Sequence, residues 1–131
     1  MGAWGSGSFE NDDAGDWVGG LADSKNLAPV KAAIDAVAKA TGYVEAPDCS
    51  TAIAAAEVVA ALRGRATADL PPEVATYVAR KLPVDAGLVN AAKAAVSRIL
   101  GDSELRDVWE EGSDFKAWSD GLRGLLQRLN T

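Results

Sequence analysis

The stretch STAIAAAEVVAALR, residues 50–63, carries apolar side chains in almost every rotational direction of a helix. A helix with a single apolar stripe lies on the surface of a core, whereas one that is apolar all round lies inside it. Asp48 is a suitable cap and Gly64 a suitable stop, so a helix is expected from Asp48 to Gly64, and it is expected to be central. Glu57 interrupts the apolar run. No apolar stretch of the chain approaches the roughly 20 residues that a membrane helix requires.

Other helices are expected around this one. Asn11 or Asp12 caps a first helix with Trp17 and Leu21 on one face, shortened by Gly19 and Gly20. Pro29 opens a second, in which Val30, Ala33, Ile34, Val37 and Ala38 form a buried stripe that ends by Gly42. A short fourth helix runs around Glu73 to Lys81, after the loop ATADLPPEV, and is closed by Leu82 and Pro83. A fifth places Leu88, Ala92, Ala95, Val96 and Ile99 on one side and stops at Gly101, in the left-handed position past a helix end. Ser103 caps a sixth, ELRDVWEE, closed by Gly112. Ser113 caps a seventh, where Phe115, Trp118, Leu122, Leu125, Leu126 and Leu129 recur at helical spacing. Tyr43 and Val44 are too few to make a strand. The expectation is an all-α, single-domain bundle of about six or seven helices over residues 1–131, with residues 1–10 as an ordered arm packed on the core.

The net charge of −6 is concentrated at one end. Residues 1–23 hold Glu10, Asp12, Asp13, Asp16 and Asp23 with no Lys or Arg, while the rest balances fourteen acids against thirteen bases. Without a basic stripe the chain is unsuited to nucleic acid, whose affinity comes from cations that displace counterions. An acidic segment suits a basic protein partner. The lack of a basic-then-apolar leader, together with the single cysteine, Cys49, points to the cytoplasm.

The chain has no histidine, which removes Ser-His-Asp and Cys-His catalysis and the commonest zinc ligand. Gly5 and Gly7 do not have phosphate-loop spacing, and NDDAGD does not have that of an EF-hand. No catalytic residue, metal ligand set or cofactor is therefore assigned. Cys49 reads as structural. Glu57 has two readings, since a buried carboxylate must find a partner or shift its pKa upward. One is a structural pair with Arg63, Arg65 or Arg80, with an indole N–H or with the N-terminal amine. The other is a functional carboxylate in a pocket.

MGAWGSGSFENDDAGDW at the start, YVEAPDCSTAIAAAEVVAAL in the centre and SELRDVWEEGSDFKAW near the end resemble a bacterial family of domains of unknown function, number four-two-five-nine. Its members typically open M-G-A-W-G-x-G-x-F-x-N-D-D-A-x-D-W. Gly15, Gly19 and Gly20 stand where the resemblance implies helix formers. It implies no activity, but it marks Trp4, Asn11, Asp12, Asp13, Asp16, Trp17 and Glu57 as the candidate binding or structural residues. Trp4, Phe9 and Trp17 are expected to dock the arm onto the bundle, leaving the aspartates at a fixed rim. Two functions follow: an interaction factor of an immunity or antitoxin-like kind that meets a basic protein, or a small-ligand or metal-dependent enzyme using Glu57 and the N-terminal aspartates.

Overall fold

The computed structural model describes residues 5–130, and these hold seven α-helices and no strand. The helices are α1 (Asp12–Leu21), α2 (Ala28–Ala38), α3 (Ala46–Leu62), α4 (Pro72–Val78), α5 (Ala86–Gly101), α6 (Glu104–Glu110) and α7 (Phe115–Asn130). The all-α fold expected from periodicity is the one the chain adopts. As expected, α3 is the hub, since it packs against each of the other six helices. Cys49, Ser50 and every residue from Ala52 to Ala61 are buried. Its many alanines let neighbouring helix axes approach closely, where larger side chains would hold them apart.

The surrounding helices present stripes to this hub. Val30, Ala33, Ile34 and Val37 are buried on α2, Ala92, Ala95, Val96 and Ile99 on α5, and Trp118, Leu122, Leu125 and Leu129 on α7. Val74 and Tyr77 fix the short α4, and the Tyr77 hydroxyl donates to the Asn26 carbonyl at 2.5 Å. No helix among the described residues is long and apolar enough to cross a membrane.

Several helix ends differ from expectation, two of them because other groups supply the hydrogen bonds there; α4 stops at Val78, short of Lys81. Asp48 lies in the first turn of α3 and is not its cap; the helix starts at Ala46, with Glu45 at the cap position. The free Ala46 N–H is met instead by Glu104 Oε1 of α6 at 2.7 Å, so a neighbouring helix supplies the cap. Gly101 is the last residue of α5 and is not left-handed; Gly64 alone among the described glycines has a positive φ. The end of α5 needs no such turn because Ser103 Oγ donates to the Ile99 carbonyl at 2.8 Å and Arg106 to that of Leu100 at 2.6 Å. α7 begins at Phe115, so the cap position falls on Asp114 and not on Ser113.

At the other end of α3, Gly64 has φ +83°, its N–H donates to the Ala61 carbonyl at 2.9 Å and the Arg65 N–H to that of Ala60 at 2.8 Å. That pair of bonds is a Schellman motif. Elsewhere arginines satisfy the bare carbonyls at helix ends. Arg98 reaches those of Val37, Ala40 and Gly42 after α2, Arg80 those of Ala22 and Ser24 after α1, and Arg63 that of Leu129 at the end of α7. A guanidinium is suited to this, because its five donors can serve several acceptors at once. Much of the chain's cationic charge is thus directed at its own backbone.

Candidate functional site

Glu57 is 3% exposed, on the face of α3 turned toward α7. Its partner is Arg128, in the last turn of α7, which approaches with two donors: Nη1 to Oε1 at 2.8 Å and Nη2 to Oε2 at 3.1 Å. None of Arg63, Arg65 or Arg80 fills this role. Arg63 and Arg80 are committed to backbone carbonyls, and the Arg65 carbonyl is itself an acceptor for Arg128 at 3.1 Å. The cation that pairs with Glu57 comes from 71 residues away, beyond the reach of local spacing. The N-terminal amine lies outside the described residues. Glu57 is paired with an arginine, though with none of the three expected.

A third group completes this cluster. Ser8 Oγ donates to Glu57 Oε2 at 2.7 Å, joining residues 5–10 to α3. In that segment the chain curls round its own Glu10, whose Oε1 accepts the Gly7 N–H at 2.9 Å. A Cβ at Gly5 would stand 2.6 Å from the Glu10 carboxylate, and one at Gly7 would meet it as well, so a side chain at either position would push the Glu10 carboxylate out of its place in the loop. Asn11 is the cap of α1, accepting the Ala14 N–H at 2.9 Å. Phe9 and Trp17 are half-buried against the core, while Trp4 lies outside the described residues.

These elements enclose a cavity of about 240 Å³. The loop 5–11 forms one side, Ser50, Ile53 and Glu57 of α3 the floor, and Trp109 of α6 with Trp118, Leu122 and Arg128 of α7 the far wall. Thr67 and Asp69, from the loop after α3, complete the rim. Trp109 and Trp118 stack with centroids 6.3 Å apart and planes 11° from parallel, and Phe115 leans on Trp118 at 5.8 Å.

A family described as a domain of unknown function (DUF4259) matches residues 2–121. The chain belongs to that family. No curated protein and no solved structure matches it. The DUF4259 match takes in the arm, α3 and α6 and most of the cavity lining; Arg128 lies beyond its last matched residue.

The seven candidate residues thus divide in this DUF4259 domain. Asn11 and Glu57 line the cavity, and Trp17 packs on the core. Asp12, Asp13 and Asp16 are exposed on α1 and are not part of the cavity lining. Asp12 and Asp13 occupy the first turn, where a carboxylate is stabilised by the helix dipole. Among the described residues no three His, Cys, Asp or Glu side chains are grouped so as to hold a metal ion. Cys49 is fully buried, and burial pushes its thiol up to about 11. Its thiolate, and with it any nucleophilic role, is therefore suppressed at neutral pH.

Ser8, Glu10, Trp109 and Arg128 belong to the site without being singled out by sequence reasoning. Only Trp109 carries a usable signal, as a large aromatic outside the main stripe of a short helix. Arg128 is hidden in a charged face of α7, where spacing alone cannot say which cation crosses to a neighbour.

Proposed function

We propose that this DUF4259 domain is a non-enzymatic interaction factor of an immunity or antitoxin-like kind, acting in the cytoplasm, whose α1 face receives a basic protein partner. The observation that supports it most is the outward side of α1. Asp12, Asp13 and Asp16 stand exposed there, and none of them is in an ion pair among the described residues. Gly15, Gly19 and Gly20 meet nothing within 4 Å where a Cβ would point, so the same side is free of bulky side chains and open to close approach. Clustered carboxylates of one sign steer an oppositely charged surface toward them. Both Glu57 oxygens are engaged by Arg128, which fits a structural use of that carboxylate.

The alternative of an enzyme that combines Glu57 with the N-terminal aspartates gains no support, since Asp12, Asp13 and Asp16 do not line the cavity that Glu57 lines. The test is capture from bacterial lysate by the native chain and by D12N/D13N/D16N, at low and at high salt, with the captured protein identified. A basic protein held by the native chain, and lost to both the triple variant and high salt, is the expected result. Equal capture by the two chains, or no salt-sensitive partner, contradicts the proposal.

A further inference from the structure

The cavity beside the arm has a chemistry that the α1 surface does not use. Among the described residues its charged lining is Glu10, Glu57, Asp69 and Arg128. Glu57 and Arg128 offset each other through their paired hydrogen bonds, which leaves the Glu10 and Asp69 carboxylates in excess. A second, independent feature lies on the floor. Ser50 is 5% exposed and lines the cavity, and its hydroxyl makes no hydrogen bond with any described residue. No buried side-chain oxygen among the described residues lacks a partner, so the Ser50 oxygen is accessible from the cavity and open to a guest there. The opposite wall is aromatic and aliphatic, built from Trp109, Trp118 and Leu122.

We infer that the cavity binds a small organic cation, a protonated primary amine on an apolar body. The Asp69 and Glu10 carboxylates and the Ser50 hydroxyl receive the ammonium, and the Trp109 and Trp118 rings carry the body and attract the charge through their π faces. An anion is repelled by the surplus carboxylates, and a purely apolar guest leaves Ser50 without a partner. The volume of about 240 Å³ exceeds the roughly 150 Å³ that accommodates benzene in a dry protein cavity, so a phenyl ring with a short aminoalkyl chain fits.

The test uses the full chain and three probes of one size: phenethylamine, 2-phenylethanol and phenylacetate. Titration is followed by calorimetry and by the indole N–H resonances of Trp109 and Trp118. The amine is expected to bind saturably and to move both resonances, with the alcohol weaker by about tenfold or more and the acid not binding. D69N and S50A each weaken amine binding by about threefold or more while keeping the native melting temperature. D12N/D13N/D16N leaves it unchanged, which separates this site from the proposed partner surface. Equal affinity for amine and alcohol, no saturable binding of the amine, or undiminished binding in D69N and S50A overturns the inference.

Discussion

At the scale of single residues, the Glu57–Arg128 pair carries the strongest expectation. Glu57 is almost fully buried, whereas about a quarter of the Arg128 side chain reaches solvent. Removing the cation alone strands a buried carboxylate, so R128M should lower stability by about 2–4 kcal/mol, a fall in melting temperature of roughly 6–16 °C. E57Q/R128M should recover part of that loss, because the uncompensated charge is gone. A thermal-melt double-mutant cycle checks this. Cys49 provides a second residue-level prediction. Its pKa is raised from 9.0 to about 11, so the unfolded chain releases the thiol proton near pH 9 while the native state retains it up to about pH 11. Stability is therefore fully present below pH 9 and declines as pH rises from 9 to 11, and burial of Tyr77 acts in the same direction at its phenol. Denaturant melts across that range should show the decline, and iodoacetamide at about pH 8 should leave Cys49 unmodified until the chain unfolds.

At the scale of elements, two glycines should respond with opposite sign. Gly19 lies within α1, is exposed and has nothing within 4 Å of the place a methyl group would take, so G19A should stabilise by about 0.5–1 kcal/mol through helix propensity. Gly64 ends α3 at φ +83°, so G64A should destabilise by about 1–2 kcal/mol despite equally open space. Denaturant midpoints for the two variants decide this. Helix existence was legible throughout the sequence because stripes such as Val30, Ala33, Ile34 and Val37 record which face is buried. Helix ends were less so. Asp48 resembles a cap, yet Glu104 from α6 takes that duty, and Gly101 resembles a stop, yet Ser103 and Arg106 satisfy the carbonyls there. Both substitutes are tertiary contacts, which local sequence does not encode.

At the scale of the whole molecule, charge and packing combine to face the acids outward. Arg63, Arg80, Arg98, Arg106 and Arg128 all donate to backbone carbonyls, most of them across helices distant in sequence, and Asp12, Asp13 and Asp16 are without ion-pair partners among the described residues. The candidate site was legible only in part for a related reason. Glu57 announced itself as a carboxylate in an apolar helix, but its partners Ser8 and Arg128 come from opposite ends of the chain and meet only when the bundle closes. Residues 5–10 are fastened to α3 and the core, so that the acids of α1 stand on a fixed support. Ser8 donating to a buried carboxylate and Phe9 resting on the core are the contacts at stake. Thermal unfolding of the chain without residues 1–9 tests this most directly. The account predicts a melting temperature lower by about 5 °C or more, or failure to fold. A melting curve unchanged from that of the full chain would contradict it.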